Sequence, residues 1–144
     1  MTLAAERELL RDVLDTLVPA GDGFPGAGEV ALEHLLAVAA ASAEADGRLG
    51  AALRAIREAA GALAFAALGV DEREGALRRV EQSHSELFEA LVRHTYDGYY
   101  SHPIVVARLG LDPGPVHPRG HRIDATDLPD LARVSARGPL YRPA

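Results

Sequence analysis

His117 and His121 form an H-x-x-x-H spacing with Asp124 three residues further on. These are the residue types that hold a zinc-like ion when two imidazoles share one helix face and a carboxylate adds a third ligand. Pro118 and Gly120 stand between the histidines and exclude that helix, so such a site would have to be built from a loop. Histidines in a proline-rich stretch serve more often as hydrogen-bonding or stacking groups against a partner. Gly21, Gly23 and Gly26 spell G-x-G-x-x-G, with Glu44 and Asp46 near the distance expected of a ribose contact. A dinucleotide site also needs a preceding strand and further parallel strands. Here Leu9 to Val18 has a helical period, Pro25 intrudes and no second βαβ unit follows, so the glycines read as a helix-to-helix loop. Ser83, His84 and Asp97 supply the residue types of a nucleophilic triad, but neighbours on one helix project in different directions and no triad is expected. His34, His84 and His94 stand at no ligand spacing from one another.

A different concentration lies in LFEALVRHTYDGYYSHP, Leu87 to Pro103, where three of the four tyrosines fall within five residues as Tyr96, Tyr99 and Tyr100. Leu87, Leu91 and Val92 recur at helical spacing with Phe88 beside them, while Glu86, Glu89 and Arg93 fall on the wet side. Gly98 is the expected helix end, and Pro103 forbids its continuation. Tyrosines at such an exit either plug the local core or form a docking surface, since each offers apolar area and a hydroxyl at low entropic cost.

Four helices must position these groups. Thr2 caps a first helix running to about Val18, with Leu3, Leu9, Leu10, Val13, Leu14 and Leu17 inward and Pro19 as its stop. A second spans about Gly26 to Glu44, and Asp46 and Gly47 punctuate it. An alanine-rich third runs from Arg48 to about Leu68. Asp71 followed by Glu74 reads as an acidic capping box opening a fourth helix to about Asp97. Seven of the nine prolines lie from Pro103 onward and hydrophobic periodicity fades there. Val116, Ile123, Leu128, Leu131, Val134, Leu140 and Tyr141 still recur too often for a simple linker. The predicted architecture is therefore all-α, a small four-helix orthogonal or bundle-like domain over 1–100. An extended proline-rich C-terminal arm over 101–144 wraps the domain or a partner.

Composition narrows the function classes. A chain of 144 residues can bury a core without a staple, and its lack of cysteine excludes disulfides, thiolate chemistry and covalent haem attachment within it. The fifteen basic residues are all arginine, scattered under a net charge of −6, so nucleic acid is not an expected partner. Arg108, Arg119, Arg122, Arg133, Arg137 and Arg142 either keep the arm soluble or make bidentate contacts to carboxylates of a partner. The opening MTLAAERELLRDVLD is interrupted by charge and can form neither a membrane span nor a signal segment. The expectation is a cytoplasmic protein without membrane insertion, or a periplasmic or secreted one whose export signal has been removed.

Two blocks carry a family resemblance. Leu17, Pro19, Asp22, Pro25, Gly26 and Ala27 with Val30 following are similar to a helix end and proline-glycine turn. Phe88, Leu91, Thr95, Gly98, Tyr99, Tyr100 and Pro103 are similar to a long helix with a Phe-x-x-Leu core and a Gly-Tyr-aromatic exit. In this order they resemble subunit 3 of gluconate 2-dehydrogenase, a family of small accessory subunits of flavin-dependent sugar and alcohol dehydrogenases. The resemblance implies a helical, non-catalytic subunit with no cofactor of its own. FAD is then held by a glucose-methanol-choline type large subunit, which performs the oxidation. Many members carry a twin-arginine export signal, from which this chain departs. The expected partner interface is Tyr99, Tyr100, His102 and Pro103 at the helix exit, with His117, Arg119, His121 and Arg122 in the arm. Two other classes stay open: a free-standing helical interaction module, and a small metal-dependent enzyme using His117, His121 and Asp124.

Overall fold

A computed structural model describes residues 2–111 and Ala136. It is all-α over those residues. A 3-10 turn at Leu3–Glu6 leads into α1 (Arg7–Leu17), followed by α2 (Ala27–Val30), α3 (Leu32–Ala41), α4 (Ala43–Ala60), a 3-10 turn at Phe65–Ala67, α5 (Val70–Ser83), α6 (Ser85–Ser101) and α7 (Pro103–Arg108). The expected helical stretches are present, several of them subdivided. Ala31 joins α2 to α3 with little disturbance, since the Ala31 N–H donates to the Ala27 carbonyl at 2.8 Å and the Leu35 N–H to the Ala31 carbonyl at 3.1 Å.

Local chemistry explains where boundaries differ from expectation. Thr2 caps nothing with its side chain, and the Leu3 N–H donates instead to Asp46 Oδ1 at 2.8 Å, tying the N-terminus to α4. The break before α4 falls at Ser42, whose extended backbone and Oγ, accepting from the Ala45 N–H at 3.2 Å, make an N-cap. Glu44 and Asp46 then sit in the first helical turn, where the N-terminal dipole favours acids, and Gly47 lies inside the helix. That helix stops at Gly61, with φ +79, well before Leu68. The cap of α5 is two residues earlier than expected: Glu72 Oε2 accepts from the Gly69 N–H at 2.9 Å. The long fourth helix breaks at His84, whose φ of −140° and ψ of 52° separate α5 from α6.

The core gathers around α4, which packs against α3, α5 and α6. Leu49, Leu53 and Ile56 are buried there at helical spacing, and Ala52 and Ala55 let neighbouring helices come close. Leu10, Val13 and Leu14 of α1, Leu35 of α3, Leu77 and Val80 of α5, Leu91 of α6 and Val105 of α7 complete it. Each such large side chain contributes about 1.5–3 kcal/mol relative to exposure. Replacing Leu53 by alanine therefore costs about 2–5 kcal/mol once the residual cavity is included.

Candidate partner-docking surface

The loop between α1 and α2 is folded by its own sequence. Asp22 and Gly23 have φ of +48° and +80°, and Gly21 and Phe24 exchange backbone hydrogen bonds at 3.1 and 2.8 Å, giving a two-residue turn of the mirror-image type. The loop then lies on α1, where Asp15 Oδ1 accepts from the Gly28 N–H at 2.8 Å. A Cβ at Gly26 or Gly28 would overlap the Asp15 carboxylate, so both glycines serve close approach. The G-x-G-x-x-G letters thus form a helix-to-helix loop, as expected.

This loop meets the end of α6. Tyr99 is buried at 4% exposure, and its hydroxyl donates to the Pro25 carbonyl at 2.9 Å across 74 positions of sequence. Burial raises the Tyr99 phenol above its ordinary range and Tyr100 adds to the rise, while the Arg108 guanidinium opposes it. One position before Tyr99, Gly98 lies inside the helix, contrary to the helix end expected there. A Cβ there would stand 2.8 Å from the His34 Cβ, so the missing side chain lets α6 press against α3. The helix runs on to Ser101, and Pro103 then opens α7 as its first residue, where its missing N–H costs no hydrogen bond.

Tyr100 is turned outward at 54% exposure. Its ring meets Tyr99 edge-on at 5.2 Å between centroids and Tyr96, one turn back, at 5.8 Å. Pro103 is exposed and His102 half-buried, with the His102 Nδ1 finding no hydrogen-bond partner among the described residues. Tyr99 thus supports this end of the molecule from within, whereas Tyr100 and Pro103 face solvent. His117, Arg119, His121, Arg122 and Asp124 lie outside the described residues.

The sequence draws attention to the tyrosines but not to Ile104, Leu109 and Leu111 beyond them. Five of the seven exposed large apolar or aromatic side chains among the described residues are Tyr96, Tyr100, Ile104, Leu109 and Leu111, all within the last described stretch. The four-residue spacing of Tyr96 and Tyr100 was the available signal, masked by the assumption that the helix ended at Gly98. Ser83 and His84 also differ from expectation. Because the helix breaks between them, Ser83 Oγ lies 2.9 Å from His84 Nδ1, while the same hydroxyl donates to the Arg79 carbonyl at 2.7 Å. Asp97 is thirteen residues along α6 from His84, about 20 Å at the helical rise, so no triad assembles.

His94, half-buried on α6, is held below its ordinary value by burial and by Arg93, with Asp97 opposing and His34 and Arg48 adding to the shift. Among the described residues no three His, Cys, Asp or Glu side chains converge on a point, and no helix is long and apolar enough to cross a membrane. The α6–α7 end presents phenol rings, aliphatic side chains and the Arg108 guanidinium to solvent.

The family model of gluconate 2-dehydrogenase subunit 3 matches residues 4–113, which take in both the α1–α2 loop and the α6 exit. No curated protein and no solved structure matches the chain. A match over well over half of the 144 residues, including both blocks that Tyr99 and Pro25 join, places this chain in the gluconate 2-dehydrogenase subunit 3 family.

Proposed function

We propose that this chain is a non-catalytic accessory subunit that binds and stabilises the FAD-dependent large subunit of a sugar or alcohol oxidoreductase of the glucose-methanol-choline type. The observation that carries this reading is the family match over 4–113, together with the concentration of exposed aromatic and aliphatic side chains at the α6–α7 end. Buried polar hydrogen bonding fixes Tyr99, while Tyr100 and Pro103 remain available to a partner. In this reading the flavin and the substrate pocket belong to the large subunit, and the small subunit acts by binding. A protein that associates only with the folded partner stabilises it by about 2.7 kcal/mol when its free concentration is a hundred times the dissociation constant.

Co-expression with a glucose-methanol-choline type flavoprotein large subunit of the same organism tests the proposal. The expected outcome is a heteromeric complex in which all flavin absorbance belongs to the large subunit, whose melting temperature rises with the concentration of this chain. Dye-linked turnover by the isolated chain, surviving repurification, would sink it.

A further inference from the structure

Arginine pairing is uneven across the described surface. Five arginines, among them Arg7 with Glu33 and Arg57 with Glu6, have a carboxylate within 4.0 Å, and Arg73 and Arg79 donate to backbone carbonyls. Arg54, Arg93 and Arg108 have neither among the described residues. Acids outnumber bases by 21 to 15 in this chain, so an arginine without a carboxylate is the less expected case. Two of the three flank the exposed aromatic stripe. Arg93 precedes Tyr96 by three residues, hence on the same face of α6, and Arg108 lies in the last turn of α7 between Ile104 and Leu109. Both arginines are exposed.

We infer that Tyr96, Tyr100, Ile104 and Leu109, framed by Arg93 and Arg108, are the seat for an apolar patch on the flavoprotein large subunit that carries carboxylates at its edges. This rests on the accessory-subunit reading above. Tyrosine and arginine are the residue types enriched where partners bind, because rigid aromatic area is covered at low entropic cost and a guanidinium fork takes a carboxylate through two parallel hydrogen bonds. Acids displayed by the partner would meet two cations that have no carboxylate within 4.0 Å among the described residues. Like-charged surfaces would be turned away, which gives selectivity as well as affinity.

The test is titration of the chain onto the purified flavoprotein large subunit at low and high salt, with circular dichroism confirming that each variant keeps its helices. Arg108→Glu and Arg93→Glu are each expected to weaken binding about tenfold at low salt and to flatten its salt dependence, as loss of a rim charge pair does. Arg108→Lys should retain most of the affinity, and Tyr100→Ala should lose about tenfold at both salt concentrations. Wild-type binding with all four variants within twofold and an unchanged salt slope overturns this seat and leaves the accessory role standing. Failure of the wild-type chain to bind the flavoprotein overturns both.

Discussion

The Tyr99 hydroxyl donates to the Pro25 carbonyl at 2.9 Å, fastening the C-terminal half of α6 to the loop between α1 and α2. Both residues belong to the blocks that carry the family resemblance, so those blocks form one three-dimensional joint. The joint holds Tyr99 inside and thereby sets Tyr100 outside, since adjacent helical residues point about 100° apart.

Tyr99→Phe keeps the ring and removes the donor, leaving the Pro25 carbonyl without this partner. It should cost about 0.5–1.5 kcal/mol in denaturant unfolding, whereas Tyr100→Phe should change stability by less than about 0.5 kcal/mol. Equal effects from the two substitutions would contradict the division into a supporting and a presenting tyrosine.

Gly98→Ala sets a helix-propensity gain of up to about 1 kcal/mol against overpacking of about 1–3 kcal/mol. The neighbour is the His34 Cβ at 2.8 Å, part of the α3 framework and unable to swing aside, so overpacking should win. Net destabilisation is the expected outcome. A double-mutant cycle with His34→Gly, which removes the obstructing atom, should show favourable coupling between the two changes. Additive effects would mean that α6 and α3 do not meet through this pair.

The same glycine shows what sequence alone conveyed. Leucine spacing identified the all-α class and the inward face of α1, and Pro19 the start of the α1–α2 loop, because those depend on periodicity and on a proline stop, both local signals. Gly98 and Pro103 were ambiguous: a glycine that ends a helix and one that lets two helices touch look identical in sequence, as do a proline that stops a helix and one that starts the next. Only the position of His34, 64 residues earlier, separates the first pair. The exposed stripe was hidden for the same reason, since Tyr96 and Tyr100 form one face only if the helix continues through Gly98.

His94 should give the fold a pH dependence of defined sign. Its folded-state value is depressed below the ordinary 6.5 by burial and by Arg93, so the unfolded chain binds the proton more readily. The stability it contributes is present above the ordinary value and is lost as pH falls from there through the folded-state value. Urea unfolding of the wild type and His94→Gln between pH 7.5 and 5 should show a steeper fall for the wild type. A steeper fall for the variant would reverse the assigned sign.

The central claim is that this subunit works by holding a flavoprotein. The most direct measurement is co-purification of tagged chain with a glucose-methanol-choline type flavoprotein large subunit of the same organism, followed by thermal unfolding of the flavoprotein with and without it. The account predicts a stable heteromer and a flavoprotein melting temperature that rises as the chain is added. A flavoprotein that never co-purifies, and whose melting temperature is unmoved by excess chain, would contradict it.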